Sequence, residues 1–540
     1  MIKKYKNILT LKSKEVMDFF LKSEQFHGFE LPEYFNFDKV LKAVAKSVGN
    51  KSYDDCVSNV SPDELDDVNL DILLNKDGRY AVRPIILANP FLYYFLVREV
   101  CNPKGWQTIQ DCFDKFTLPH IASCALPIVP DKTEPFHKST TIFNWWNSIE
   151  QRSLELSLEY RYMFVTDITN CYGSINPETI DWALSMKGTE HATDKNHAMA
   201  QNIIRYIRAL QQGRNIGIPQ GSAIFDFVGE IILGYSDLLL HNRLQEEGIE
   251  GYEILRYRDD YRIFCNDMDT LERISYILQD VLESLNFRMN SNKTRISQSI
   301  VMDSLKADKL WYIENTPIFN KKGVDFDSFE KHLFYILMFG RKFPNGGQLK
   351  VMLSDLDKRI EDHLKPEERE EEWIDLESGK VEKHTKTIQH RLPGGSVRAM
   401  SAVATQIALK NVSASHYALR VLSRMVDSLK NDAEKVDIIA KVYAKLRNQP
   451  NSTYNQLWLQ NITYQRDKKQ RQCPYDMRLC RLVMGEKVEL WNDSWLKPAL
   501  TARLPLASIV DTETLKKVTP VITFRESRAY EESIYDNYYT

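Results

Sequence analysis

Apolar positions in the first 75 residues recur at helical spacing. Val16, Phe19, Phe20 and Leu21 form one cluster, and a second helix is predicted from Phe37 to Val48. The run from Gly78 to Leu87 is rich in β-formers and reads as an extended piece entering a helix at Pro90, a residue suited to a first helical turn. Between Tyr160 and Arg295, short strand-like runs alternate with helices, the pattern of an α/β or α+β sheet domain. After about Lys321 the pattern turns to helix after helix. Val397, Met400, Ala404 and Ile407 share one face there, and Ala418, Leu422, Met425, Val426 and Leu429 share another. The acidic run from Pro366 to Glu372 reads as a solvated loop or helix end.

These changes of pattern divide the chain into residues 1–75, 76–320 and 321–540. A length of 540 residues exceeds what one core sustains, so two or three domains are expected. With 43% apolar and 11% aromatic residues, the chain is a packed globular protein and not a disordered one. Its net charge of −3 places any nucleic-acid contact on local patches. One candidate is Arg466-Asp-Lys-Lys-Gln-Arg471, either a template or RNA contact or a solvated helix face. The eight cysteines contain no CxxC pair, and the spacing of Cys473 and Cys480 suits no common zinc site, so reduced thiols are expected. The opening MIKKYKNILTLKSKE returns to charge too soon for a signal peptide, and no apolar run approaches the ~18 residues of a membrane span. A soluble, cytoplasmic protein without a membrane partner is the expectation.

The candidate chemistry begins at Tyr162-Met-Phe-Val-Thr-Asp167, a short apolar strand ending in a carboxylate. A second run, Leu255-Arg-Tyr-Arg-Asp-Asp-Tyr-Arg-Ile-Phe264, has apolar flanks around an Arg-Asp-Asp tip and predicts a β-hairpin with Asp259 and Asp260 at its turn. Adjacent carboxylates repel, so this arrangement calls for cations. Two divalent ions on shared carboxylates would lower the pKa of an attacking hydroxyl and neutralise a leaving pyrophosphate. Hard oxygen donors select Mg²⁺ or Mn²⁺. Taken singly, the Asp pair also suits a solvated turn, and Asp167 suits a helix cap.

Two further runs settle the order. Gly217-Ile-Pro-Gln-Gly-Ser222 predicts a turn letting backbone approach a ligand, with Ser222 as the N-cap of an apolar helix to about Leu240. Leu285 to Arg295 places Lys293 after a helix-to-strand turn, where an ammonium can reach a triphosphate or protonate its leaving group.

Together these four runs resemble the motifs of reverse transcriptases in family order. Asp167 with Tyr172 resembles motif A, Pro219-Gln220-Gly221 motif B, Tyr257-Arg-Asp-Asp260 the YxDD box of motif C, and Asn292-Lys-Thr294 motif D. The resemblance implies an α+β right-hand polymerase, fingers and palm, followed by an all-α C-terminal helical domain. It implies that Asp167, Asp259, Asp260 and the Ile168 backbone carbonyl hold two metal ions, with Lys293 assisting catalysis. Gln220 and Gly221 would line the nucleotide and template pocket, Tyr172 would exclude a ribose 2′-hydroxyl, and Arg79 or Arg83 would contact the triphosphate. Arg258 departs from the pattern, since small or apolar residues are usual there.

Outside the motifs, Leu31-Pro-Glu-Tyr-Phe-Asn-Phe37, Thr179-Ile-Asp-Trp-Ala-Leu184, Leu457 to Thr463 and Trp491-Asn-Asp-Ser-Trp495 resemble bacterial defence-associated, abortive-infection reverse transcriptases. That resemblance implies an anti-phage role, with dNTPs as substrates and partners among an RNA template, a DNA product or a dedicated non-coding RNA. It leaves open template-independent synthesis, and a homo-oligomer through the helical region. Tyr530, Tyr535, Tyr538 and Tyr539 in the tail are candidate primers, or an aromatic tail docked on a groove. The competing expectations are a mobile-element reverse transcriptase and a non-catalytic RNA- or protein-binding scaffold.

Overall fold

The computed structural model describes residues 6–76, 81–129, 149–315, 328–374, 381–502 and 504–523. Helix α1 (Ser13–Phe20) buries Val16, Phe19 and Phe20, and α2 (Asp38–Val48) buries Val40, Leu41, Val44 and Val48. Both spacings put the apolar side chains on one stripe. Strands β1 (Leu70–Asn75) and β2 (Val82–Leu87) pair antiparallel, with Leu70 opposite Leu87. The Asn89 side chain accepts from the Phe91 and Leu92 N–H groups and caps α3 (Pro90–Cys101), whose first residue is proline. This is the extended-to-helix entry expected at Pro90.

A five-stranded sheet forms the centre. Its strands are β3 (Ile121–Ser123), β4 (Tyr162–Asp167), β5 (Tyr252–Tyr257), β6 (Asp260–Cys265) and β7 (Arg295–Ser297), in the order β3-β5-β6-β4-β7. Only the β3–β5 pairing is parallel. Behind the sheet run α4 (Ala223–Glu246) and α5 (Met268–Ser284). The front face carries a small apolar cluster of Met163, Leu255, Tyr257 and Phe264 with Ile149, Leu156 and Ile300. Strand alternation makes this division: on β6, Asp260, Arg262 and Phe264 face forward, while Tyr261 and Ile263 join the main core behind.

Beyond the sheet come α6 (Phe329–Lys342), α7 (Gly347–Leu364), α8 (Gly394–Lys410), α9 (Ser415–Asp427), α10 (Asp432–Arg447) and α11 (Thr453–Thr463). The two apolar faces read from the sequence are buried, with Val397, Ala404, Ile407, Ala418, Leu422, Met425 and Val426 all at 0% exposure. One expectation fails. The acidic run is neither loop nor helix end: β8 (Glu367–Ile374) pairs with β9 (Val381–Ile388), Glu368 opposite Thr387 and Glu370 opposite Thr385. Ladder pairing with a threonine-containing partner strand outweighs the weak strand propensity of glutamate.

The C-terminal segment returns to the first hundred residues. Trp491 Nε1 donates to the Leu87 carbonyl at 3.0 Å, and Asn89 Nδ2 donates to Asp493 Oδ1 at 2.7 Å. Trp495, fully buried, stacks on Tyr53 with ring centroids 5.9 Å apart. All eight cysteines are free thiols, and only Cys124 is not buried. Among the described residues, no helix is long and apolar enough to cross a membrane.

Candidate active site

Asp167 is the last residue of β4 and Asp260 the first of β6, and the two are directly paired across the ladder. Paired residues present their side chains on one face, with Cβ atoms about 4.5–5.5 Å apart. Tyr257 pairs with Asp260, so Arg258 and Asp259 alone make the hairpin turn. Arg258 holds a φ of 55°, the positive value that tight hairpins need and that side chains other than glycine and asparagine resist. The Asp259 carbonyl accepts from the Ile168 N–H at 3.0 Å, tying the turn to the end of β4. Ile168 continues in a bridge to Met289. Three aspartates thus stand at one end of the sheet, at the end of β4, in the turn and at the start of β6.

Electrostatics follow from that crowding. Burial, then the charge of Asp259, pushes the Asp260 carboxyl up to about 6. Burial also raises Asp259, with the Asp167 charge adding to it. Lys293 Nζ donates to Asp167 Oδ2. Burial works to lower this ammonium, but the hydrogen bond and charge of Asp167 prevail and leave it raised. Among the described residues, no three His, Cys, Asp or Glu side chains are gathered closely enough to cage an ion as they stand. The donor chemistry nevertheless fits a hard divalent cation. All three groups are carboxylates, and Asp167 Oδ1 is buried without a hydrogen-bond partner among the described residues. Lys293 occupies the cationic place beside it.

The loop Gly217 to Ser222 packs on β2 and on Gly28. The Ile86 N–H of β2 donates to the Gln220 carbonyl at 2.9 Å, and the Gly28 N–H donates to the Gly221 carbonyl. Gly221 has a φ of +124°, and a Cβ there would lie 2.4 Å from the Ile86 carbonyl, so only glycine fits. Ser222 corrects the sequence reading. It stands at the N-cap of α4 with extended backbone, but its side chain makes no cap bond, and its buried Oγ finds no partner among the described residues. The Tyr172 carbonyl accepts from Ile218 N–H at 2.8 Å, and its ring lies on Gly229 of α4, where a Cβ would come within 2.9 Å. Burial, then the Asp226 charge, holds its phenol well above the usual range. Arg258, about a third exposed, pairs with Asp226 at 2.8 Å. Arg83 is exposed on β2; Arg79 and the tail residues Tyr530, Tyr535, Tyr538 and Tyr539 lie outside the described residues.

Residues 112–325 match the family of reverse transcriptases (RNA-dependent DNA polymerases). The chain carries a reverse transcriptase domain. It is an RNA-dependent DNA polymerase, a nucleotidyltransferase, with fingers and palm followed by a helical C-terminal region. No curated protein matches the chain. Among solved structures it is similar to telomerase from Candida albicans in complex with a fragment of telomeric RNA. That likeness covers 78% of this chain and 69% of that one, with 11% identity and a TM-score of 0.30. It is also similar to apo telomerase from Candida tropicalis, over 80% and 76% of the two chains, with 12% identity and a TM-score of 0.32.

Several parts of this reverse transcriptase site escaped the sequence reading. Gly28, 193 positions before its partner Gly221, has no local signal that would mark it. Arg256, Glu230 and Asp237 do leave one. An arginine interrupts an apolar strand, and two acids, Glu230 and Asp237, interrupt the apolar run of α4. Charges so placed have to meet each other or stay costly.

Proposed function

We propose that this reverse transcriptase domain makes DNA by two-metal nucleotidyl transfer at Asp167, Asp259 and Asp260. The observation carrying the reading is the cross-strand pairing of Asp167 with Asp260, with Asp259 held beside them in the turn. These residues, with the Ile168 carbonyl, would hold two Mg²⁺ or Mn²⁺ ions, which supply activation of the 3′-hydroxyl and charge neutralisation at the pyrophosphate. The chain's own groups then divide the remaining work. Lys293, already within reach of Asp167, holds a proton for the leaving pyrophosphate. Tyr172, fixed on Gly229, excludes a 2′-hydroxyl, while Gln220 and Gly221 line the nucleotide and template pocket. Arg83 and Arg79 meet the triphosphate.

The biological role proposed is anti-phage defence, with synthesis either on an RNA template or without one. What supports it is the resemblance carried by Leu31–Phe37, Thr179–Leu184, Leu457–Thr463 and Trp491–Trp495. Two of these segments meet in the fold, with the Phe37 and Trp491 ring centroids 6.5 Å apart. A tail tyrosine, Tyr530, Tyr535, Tyr538 or Tyr539, is the proposed primer.

Purified protein given labelled dNTPs and Mg²⁺ tests the chemistry. Incorporation should vanish in the Asp259→Ala/Asp260→Ala variant, and undiminished synthesis there would refute the site. Plaque counts with the same variant separate an enzymatic defence role from a scaffold. Mass spectrometry after nuclease digestion decides the primer, because a protein-primed product leaves a nucleotide on tyrosine.

A further inference from the structure

Helix α4 carries three acids toward the catalytic hairpin. Asp226 meets Arg258, and Glu230 and Asp237 both meet Arg256. Arg256 is fully buried, and Glu230 and Asp237 are each 2% exposed. The Arg256 guanidinium is satisfied on every side. Its Nε donates to both Asp237 oxygens at 3.0 and 2.8 Å, and Nη2 donates to Glu230 Oε1 at 2.6 Å. Nη1 donates to Glu230 Oε2 at 3.1 Å and to the Arg258 carbonyl at 3.2 Å. That last bond reaches the catalytic turn itself. Ser123 Oγ donates to Glu230 and Tyr261 OH to Asp237, so β3 and β6 are tied into the same cluster.

Strand alternation places this cluster on the opposite side of the sheet from the aspartates. Arg256 pairs with Tyr261, one step along the ladder from Tyr257 and Asp260. Arg256 and Tyr261, one step back from the turn on each strand, are therefore anchored behind the sheet, and the Arg258 carbonyl is held from that side. A buried ion cluster adds little net stability over apolar packing of the same shape. A planar fork that fixes five acceptor atoms does, however, specify one geometry.

We infer that Arg256, clamped by Glu230 and Asp237, is a positioning residue that sets where Asp259 and Asp260 stand relative to Asp167. It touches no reacting atom and acts through the Arg258 carbonyl. Because Glu230 and Asp237 belong to the helix that begins at the Gln220–Gly221 loop, the same cluster ties the nucleotide pocket to the metal carboxylates. The inference rests on the metal-site reading above.

Arg256→Lys tests it, since lysine keeps the charge but cannot span the five acceptor atoms. The thermal midpoint reports folding, and Mn²⁺ binding by electron paramagnetic resonance reports the site without turnover. Folded Arg256→Lys should bind Mn²⁺ about 10–100-fold more weakly, the usual effect of removing a group that orients metal ligands. Its kcat with Mg²⁺ should fall by a similar factor, while KM for dNTP stays within about threefold. The loss should be smaller with Mn²⁺, which tolerates distorted coordination better than Mg²⁺. Wild-type Mn²⁺ affinity and kcat in folded Arg256→Lys overturn the inference. Should that variant not fold, the neutral set Arg256→Gln/Glu230→Gln/Asp237→Asn takes its place with the same expected losses. If neither folds, Arg256 serves the whole core and the positioning role is rejected. Asp259→Asn separates the two levels. Full synthesis there refutes the metal site, whereas a dead Asp259→Asn beside a fully active Arg256→Lys refutes the positioning role alone.

Discussion

Asp167 and Asp260 face each other across the β4–β6 ladder, and the carboxyl of Asp260 is pushed up to about 6 from its ordinary 3.8. Burial is the main cause and the neighbouring Asp259 charge the second. A carboxyl raised on folding favours the folded state fully below its unfolded value and loses that contribution as pH rises through the folded one. Metal-free protein should therefore lose stability between about pH 4 and pH 6, by roughly 1–3 kcal/mol from this group. Asp260→Asn should remove most of that slope in urea titrations across the range, and Mg²⁺ should flatten it in the wild type. An Asp260→Asn protein with the wild-type slope would show that the carboxylate is not strained.

Tyr172 rests on Gly229, and its position depends on that missing side chain. Tyr172→Ala should relax discrimination between dNTPs and rNTPs by ~10–200-fold in kcat/KM, the scale of a lost steric contact in a pocket. Gly229→Ala should push the ring and change the same ratio in a protein that still folds. Single-nucleotide incorporation with paired dNTP and rNTP series measures both. An unchanged ratio in Tyr172→Ala would assign the ring to the core.

Lys293 donates to Asp167, and its ammonium is raised by that partner despite burial. A proton held so firmly at neutral pH suits a general acid. Lys293→Ala should lower kcat by ~10²–10⁴-fold, the usual contribution of such a group. It should also abolish the loss of activity expected of the wild type as pH rises through the Lys293 ammonium's range. A kcat pH profile for both proteins checks this, and identical high-pH limbs would remove Lys293 from proton transfer.

What could be read from the sequence was local. The β4 strand, the two-residue hairpin and the Gly221 turn each announce themselves within about ten residues, through alternation and turn chemistry. What escaped depends on partners far apart. Gly28 meets Gly221 with no local mark at all, and Arg256 meets acids 19 and 26 residues before it, so its misplaced charge is visible locally but its partners are not. Ser222 shows the reverse error: a good cap residue at a cap position whose hydroxyl does not cap. The run at Pro366–Glu372 failed because charge spoke for solvent exposure, and exposure is compatible with a paired strand.

The return of the C-terminal segment to the fingers is a stability claim as well as a topological one. Trp495 is fully buried, stacks on Tyr53, and its carbonyl accepts from Ser58 N–H at 2.7 Å. Trp491 meanwhile donates to Leu87 at the end of β2, the strand that carries Arg83. Removing the fully buried anchor, Trp495, should then loosen β1 and β2 although it lies more than 400 residues away in sequence. Trp495→Ala should cost about 3–5 kcal/mol, the range for truncating a buried aromatic side chain. Hydrogen exchange should quicken in β1, β2 and α3 more than in α4 or β6. Faster exchange confined to residues 490–500 would mean that the segment is an appendage, and that the fingers stand without it.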